Sequence, residues 1–284
     1  MYIPSVLILG NGYLGQRLGG ALSNAQVAQE RVICVRDTAV MFQKQGTLPD
    51  VVINCIKHRG SVKNEDDPHA VLESNVTVPL VLAAACRATG AFLIHLSTDC
   101  VFTDPKPGWA MWTEDDTPQP IDGLYARSKA AADLALWGLE NVAIVRFRSA
   151  IDHVPSPRNF LDRLAAFHEV ADVEYSITFM EDLVLAVQAI AAQRQPGVYH
   201  VFNPGLFSHR TFLLRYANRV DAKHSCRWSK PNLTVELRAA GADRVFAPSK
   251  NLERLGVRLR SVEQATEETF EKYAANLRRR STRP

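Results

Sequence analysis

The sequence predicts an α/β protein: a Rossmann-type doubly wound parallel sheet with a smaller C-terminal substrate lobe. Three observations predict it. Short apolar runs alternate with helical patterns throughout the first half, which is how parallel β-α-β units read in one dimension. The first run, VLILG (6–10), stops at a glycine-rich turn, GNGYLG, that opens a helical pattern. Beyond residue 150 the regular alternation loosens, as expected where a second lobe begins.

Taken in order, VLILG is the first strand and YLGQRLGGALSNA the helix after it. RVICVR (31–36) reads as a second strand and VVINCI (51–56) as a third. ESNVTVPLVLAAACRATG reads as a helix ended by Gly90, because glycine adopts the left-handed cap without penalty. AFLIHLS (91–97) follows as a strand, then a long loop (100–121) rich in proline and acids, a helix from near Tyr125, and the strand VAIVRF (142–147). Residues 1–150 are therefore expected to form a dinucleotide-binding domain, and 151–284 a substrate lobe with some elements returning to the main sheet. In that lobe Asn159 starts the amphipathic helix FLDRLAAFHEV, and SITF, the helix EDLVLAVQAIAAQ and the strand GVYHVF come next. Ser208 is the expected N-cap of the helix HRTFLLRYA.

Composition excludes several classes. The chain has 284 residues, 46% hydrophobic and 22% charged, with a net charge of +3, so there is ample core without staples. Arg278, Arg279, Arg280 and Arg283 crowd the tail, where a charge run reads as a solvated end rather than a nucleic-acid surface. Cys34, Cys55, Cys86, Cys100 and Cys226 are odd in number and show no metal-ligand spacing, so neither a disulfide framework nor a metal site is expected. The N-terminus reads directly as a strand without a leader, and no apolar run suggests a membrane span of ~20 residues. A cytoplasmic protein with no nucleic-acid or membrane partner is expected.

The glycine turn carries the first chemistry. Gly10, Gly12 and Gly15 form GxGxxG, with Asn11, Tyr13 and Leu14 completing the loop and the start of the helix. Glycines there permit a tight turn, close approach of backbone to a pyrophosphate and close helix–strand packing, while the helix N-terminus offers free N–H groups. At the expected end of strand two, Arg36 suits a 2′-phosphate and favours NADP(H), while the adjacent Asp37 keeps NAD(H) open. Asn54, Cys55 and Ile56, at the end of strand three, are expected beneath the adenine and ribose side, with strand-end packing as the plain alternative.

YARSK places Tyr125 and Lys129 four residues apart on one helix face. A neighbouring ammonium lowers the pKa of a tyrosine and makes it a usable acid at neutral pH. The same lysine can hold a nicotinamide ribose. The strand ending in Ser97-Thr98 adds a hydroxyl, Thr98, with Ser97 either a cofactor contact or a strand-end residue.

These motifs together resemble an extended short-chain dehydrogenase/reductase of the nucleotide-sugar kind. STDCVF, TEDDTP and YARSK follow the order found in dTDP-4-dehydrorhamnose reductases. SPRNF and GVYHVFNPG with the following SH are similar to the UDP-4-keto-6-deoxyglucose 3,5-epimerase/4-reductases of rhamnose synthesis. The resemblance implies a nucleotide-sugar substrate and reduction at C4 of its 4-keto-6-deoxy sugar. Tyr125 would be the proton donor, Lys129 its helper, and Thr98 a second donor to the same oxygen. It also implies that Arg158, Asn159, Phe160 and Arg244 shape the sugar and diphosphate site, although Arg158 and Arg244 read equally as salt-bridge partners. Trp109 and Trp112 would cover the site or pin the loop.

Cys100 raises a second activity. A ketone at C4 acidifies the hydrogens on C3 and C5, and a thiolate beside it would be a base. In the resembling epimerase/reductases a cysteine stands at this position, where the pure reductases have tyrosine. The lysine those enzymes carry four residues past the Asn of RNF is here Arg163, a very poor proton donor. His153, just upstream, is the substitute available in the sequence. A pure reductase on a dTDP- or GDP-sugar and a non-catalytic NADP-binding regulatory subunit are the alternatives, and a homodimer is compatible with either.

Overall fold

Val6 and Ile8 face one side of β1 (Val6–Leu9) and Leu7 and Leu9 the other, all four buried, so this strand needs a helical layer on both faces. The computed structural model supplies both layers; it describes residues 3–28, 34–44, 48–58, 67–103, 106, 110–120, 123–229 and 244–281. Six parallel strands lie in the order β2-β1-β3-β4-β5-β8: β2 (Ala25–Ala28), β3 (Val51–Asn54), β4 (Phe92–Leu96), β5 (Val142–Arg146) and β8 (Gly197–His200) around β1. On one face Ile8, Ile53, Ile94 and Val145 pack against α1 (Tyr13–Ala21) and α7 (Met180–Gln193) through Leu18, Leu183, Val187 and Ile190. On the other, Leu7, Leu9, Val52, Leu93 and Ile144 meet α2 (Val35–Lys44), α4 (Val78–Thr89) and α5 (Leu124–Leu136) through Phe42, Leu82, Cys86 and Leu136. Each such fully buried aliphatic side chain contributes about 1.5–3 kcal/mol relative to exposure. The order of strands reverses between β1 and β3, which puts a crevice at the carboxyl ends of those two strands.

Several elements depart from the sequence expectation. The second strand is not RVICVR but Ala25–Ala28, while Val35 and Arg36 already belong to α2; residues 29–33 lie outside the described residues. A short apolar run does not by itself distinguish strand from helix, and here Thr38 and Phe42, four apart and both buried, carry the helical period that VICV masks. The turn that brings β2 back beside β1 is tight, with Asn24 at φ +72° giving its carbonyl to Val6 N. The helix begun by Asn159 is also shorter than expected. It ends at Ala165 (α6, Phe160–Ala165), and Glu169–Ala171 form a strand, β6, paired with β10 (Arg227–Ser229).

The helix ended by Gly90 begins earlier than expected, at α3 (Pro68–Leu72), and passes through a π-turn at Glu73–Thr77 into α4. Pro68–Thr89 is 22 residues long and as apolar as a membrane span, contrary to the expectation that no stretch approaches one. Its Val71, Val78, Leu82, Ala83, Ala85 and Cys86 are buried within the fold, which accounts for that apolarity. Gly90 caps it at φ +76°, as expected.

Beyond β5, α7 and β8 join the main sheet. A separate core forms from Leu161, Leu164, Tyr175, Phe179, Phe207, Phe212 and Phe270, drawn from α6, β7 (Glu174–Tyr175), the N-cap of α7, β9 (Phe207–Ser208), α8 (His209–Arg219) and the last helix, Val262–Ser281. Ser208 caps α8, its hydroxyl accepting from Thr211 N. Arg278, Arg279 and Arg280 continue that last helix through its final turn, where cations complement the helix dipole; Arg283 lies outside the described residues.

Candidate active site

The loop after β1 is shaped by backbone proximity. Gly10 has φ +108°, and a Cβ there would stand 2.9 Å from the carbonyl carbon of Cys55 at the end of β3. At Gly15 a Cβ would fall 2.0 Å from the Gly10 carbonyl oxygen, so α1 can approach the turn only because this residue has no side chain. Gly12 differs: a Cβ there meets nothing within 4 Å, and as N-cap of α1 it brings no side chain to the first-turn N–H groups. Two glycines close the turn and the third leaves an open, donor-lined space, the form a pyrophosphate requires. Asn11 is exposed beside it and accepts from the Gln16 amide, and Leu14 packs toward the sheet core.

Tyr13 is turned away from that space. Its hydroxyl donates to Asp152 Oδ2 at 2.6 Å, and Arg17 pairs with the same carboxylate, which ties α1 to the loop after β5. Asn159, expected at the sugar, serves this tie instead. It is fully buried, its Oδ1 accepts from Asp152 N and Leu161 N, and its Nδ2 donates to the carbonyls of Asp152 and Val154. His153 stands 3.5 Å from both Asp152 and Glu181, within the same ion cluster, rather than presented as an acid. Arg158 and Arg163 are exposed, and Phe160 packs edge-on to Phe207 in the small core.

Arg36 stands in the first turn of α2, exposed, and Asp37 beside it donates its N–H toward Cys34 Sγ. Cys55 gives its backbone to the Gly10 contact, and burial pushes its thiol up to about 12, so it is inert. Asn54 is fully buried: its Oδ1 accepts from Ile56 N at 2.9 Å, and its Nδ2 lies 3.1 Å from His95 Nδ1.

At the end of β4 the chain emerges as Ser97-Thr98-Asp99-Cys100. Ser97 is not at the open crevice. Its hydroxyl donates to Asp133 Oδ2 at 2.8 Å, and Asp133 receives a two-point pair from Arg146, both side chains fully buried. Thr98 accepts from Cys100 N and donates to Asp99 Oδ1 at 3.1 Å. Asp99 in turn is held by Arg244 at 2.9 Å and Arg148 at 3.4 Å, and the Arg148 guanidinium lies 3.6 Å from the centre of the Tyr175 ring. Arg244, expected near a diphosphate, is thus buried in the floor under Thr98 and Cys100. Burial pushes the Cys100 thiol up, with Asp99 adding to the rise and Arg244 and Thr98 opposing it.

Tyr125 occupies the first turn of α5, half-buried, and Lys129 one turn on is buried. Lys129 Nζ donates to Leu96 O at 2.9 Å and lies 3.2 Å from His95 Nε2. Burial, then the nearby Lys57, depress its pKa to about 7, with Asp133 and Cys100 acting the other way. The structure therefore gathers Thr98, Cys100, Tyr125 and Lys129 at one end of the sheet, across from the glycine loop.

Three groups that sequence reasoning passed over hold this arrangement. Asn75, in the π-turn, accepts from His58 N and donates to Ser128 Oγ, which donates to Tyr125 O, so it anchors the first turn of α5. An extra residue in a helical turn is a common mark of a functional site, but it leaves no sequence signal. His95 sits inside an apolar run, and a histidine there was the available hint. Glu114 of the long loop is buried and accepts from His200 N, Asn251 N and the Ser249 hydroxyl, while Trp112 stacks on Phe102 at 4.3 Å. Both pin the loop; Trp109 lies outside the described residues.

A glycine-rich turn at a β1/β3 crevice and a helix carrying Tyr125 and Lys129 beside the end of β4 belong to a Rossmann-type α/β protein. More narrowly, residues 5–274 match the family model of the RmlD substrate binding domain, and the chain belongs to that family. It is similar to a bifunctional dTDP-4-dehydrorhamnose 3,5-epimerase/dTDP-4-dehydrorhamnose reductase of Arabidopsis thaliana, 32% identical over 64% of this chain and 60% of that protein. A dTDP-4-dehydrorhamnose reductase of Mycolicibacterium smegmatis is 34% identical over 56% of this chain and 50% of its own. The chain thus matches less than two thirds of the length of these relatives. Among solved structures, the L780 UDP-rhamnose synthase of Acanthamoeba polyphaga mimivirus superposes with a TM-score of 0.81 at 20% identity, covering 94% of this chain and 98% of that one. The dTDP-4-dehydrorhamnose reductase of Bacillus anthracis, solved with NADP, gives 0.78 at 23% identity, covering 95% and 99%. At these identities the two structures establish the shared fold.

Proposed function

We propose that the chain binds NADP(H) and reduces the C4 ketone of a nucleotide-linked 4-keto-6-deoxy sugar, as the names of its relatives say of them. What supports this is that α5, which carries Tyr125 and Lys129, is tied by Lys129 to Leu96 at the end of the strand leading to Thr98, while Gly12 leaves the turn after β1 open. When bound, the dinucleotide supplies the hydride. Gly12 and the free N–H groups of α1 would hold its diphosphate, whereas Arg36, in the first turn of α2 and not at the end of β2, loses the strand-end placement on which its assignment to a 2′-phosphate rested. Tyr125 gives its phenolic proton to the oxygen at C4 as charge develops there. Lys129, in its charged form, lowers the cost of that transfer. Thr98 is a second donor to the same oxygen. Its hydroxyl must turn from Asp99 to do this, and Asp99 then keeps its two arginines. Donors placed where charge develops are a large part of such catalysis.

A second activity, 3,5-epimerisation, is the one the resemblance attaches to Cys100, whose Sγ lies 3.7 Å from Asp99 Oδ1. The thiol's pKa is raised, by burial first and then by Asp99, where a base would need it depressed, so reduction is the better supported of the two activities. We assign residues 1–150 to cofactor binding and 151–284 to substrate, with α7 and β8 built into the main sheet, and the five free thiols suit a cytoplasmic protein.

The test is NADPH consumption with UDP- and dTDP-4-keto-6-deoxy sugars in heavy water. Consumption with deuterium at C3 and C5 supports both activities, and consumption without it supports reduction alone. If NADPH binds and no sugar is reduced, the reading as a cofactor-binding regulatory subunit replaces this one.

A further inference from the structure

Lys129 is the inner end of a hydrogen-bonded chain whose polarity is fixed from its outer end. Ile56 N–H points at Asn54 Oδ1 at 2.9 Å, and a backbone N–H can only donate. The oxygen of the Asn54 amide is thereby assigned, and its NH2 faces His95 Nδ1 at 3.1 Å. Turning the amide over would set NH2 against N–H. Nδ1 is therefore an acceptor, and a neutral His95 carries its proton on Nε2. That proton points at Lys129 Nζ, 3.2 Å away. An ammonium has three N–H groups and no lone pair, so it would meet Nε2–H donor to donor. A neutral amine accepts from Nε2–H and still donates to Leu96 O at 2.9 Å.

We propose that Asn54 and His95 are positioning residues that form a tautomer clamp, holding Lys129 as the neutral amine in the cofactor-free chain. The proposal rests on the reading of Lys129 as the helper of Tyr125. Its surroundings agree: all three side chains are buried, Lys57 beside β3 disfavours a second cation, and His95 is held neutral by burial. The charged groups that favour the ammonium are Asp133 on the same helix and the Cys100 thiol when ionised. The clamp makes the Tyr125–Lys129 pair conditional. A free chain keeps the lysine uncharged, and the phenol keeps its proton. An anionic dinucleotide arriving at the cradle favours the ammonium, so binding takes up a proton and readies the acid only when the cofactor is in place.

Asn54→Asp reverses the chain's polarity without changing its shape. A carboxylate accepts from Ile56 N–H and from His95 Nδ1–H together, which frees Nε2 to accept from an ammonium. His95→Gln removes the ring and, by loss of its signals, assigns His95 in spectra. The experiment is 15N NMR of histidine-labelled full chain without cofactor, where two-bond couplings read the tautomer directly. The native chain is expected to show His95 neutral with Nε2–H, and Asn54→Asp to show Nδ1–H. A native Nδ1–H tautomer overturns the clamp. Calorimetry of NADPH binding in two buffers of different ionisation heat adds the functional arm. Uptake of about one proton per NADPH near pH 8 is expected for the native chain, and less than about half of that for Asn54→Asp. Equal uptake in both overturns the link between clamp and cofactor. Should NADPH fail to bind, the proposed function falls, while the tautomer still decides the clamp.

Discussion

The Ser97 hydroxyl donates to the Asp133 carboxylate at 2.8 Å, and this buried bond joins the end of β4 to the helix that carries Tyr125 and Lys129. Asp133 follows Lys129 by one turn, as Lys129 follows Tyr125, so the three share a face of α5. Arg146 from the adjacent strand closes the other side of Asp133 at 2.7 Å. The strand that leads to Thr98 and the helix that carries Tyr125 and Lys129 are thus held in register by one carboxylate.

Asp133→Ala removes that carboxylate and leaves Arg146 buried without its partner. Stability is expected to fall by about 3–5 kcal/mol, the usual cost of breaking a buried pair from one side. Urea unfolding measures the loss. Ser97→Ala, which leaves the ion pair intact, is expected to lose only about 1 kcal/mol.

The glycines separate in the same kind of test. Gly12→Ala has open space for its methyl and an ordinary φ of −84°, so it is expected to keep the melting temperature within a few degrees while weakening NADPH binding about tenfold or more. Gly15→Ala places its methyl against the Gly10 carbonyl and is expected to destabilise the fold itself. Thermal melts and cofactor titration tell the two apart.

His95 and His200 make the fold sensitive to acid. Burial, with Arg146 adding to it for His200, holds both imidazoles neutral well below pH 6.5. Unfolded, they protonate near pH 6.5. Below that value the unfolded chain binds more protons, so stability falls as pH drops, by up to about 1.4 kcal/mol per pH unit for each histidine. Above it they contribute no slope. Denaturant midpoints between about pH 7 and pH 5 measure the effect, and His200→Gln is expected to reduce it.

Lys129→Met should trade function for stability. The folded chain holds this lysine at a pKa of about 7, far below its unfolded value, so near neutral pH its burial opposes folding. Replacement by an apolar side chain of similar length is expected to raise stability by about 0.5–2 kcal/mol while reduction falls to background. Tyr125→Phe is expected to lower kcat by about 10²- to 10⁴-fold. Steady-state kinetics and melts on the two proteins check both statements.

Much of this was legible in the sequence. The glycine turn after β1, the Tyr125–Lys129 interval on α5 and the strand that ends just before Ser97 and Thr98 are each local features of the sequence. What sequence could not show is where long-range polar partners lie. Asn159 reads as a pocket residue, yet its amide is committed to the loop around Asp152. Arg244 follows Asp99 by 145 positions and pairs with it in the floor of the site. Ser97 and Asp133 look like independent surface types until the helix docks. The second strand was misplaced because VICV is apolar without period, while AQVA pairs with β1 despite its weak hydrophobicity. Asn75 was missed because a π-turn has no compositional mark.

The most direct test of the central claim is isotope transfer from NADPH deuterated at nicotinamide C4, in ordinary water with a UDP- or dTDP-linked 4-keto-6-deoxy sugar. Deuterium at C4 of the sugar, seen by NMR and lost in Tyr125→Phe, is the expected result. With both C4 positions of bound NADPH deuterated, no deuterium at C4 of any such sugar would contradict the reductase assignment.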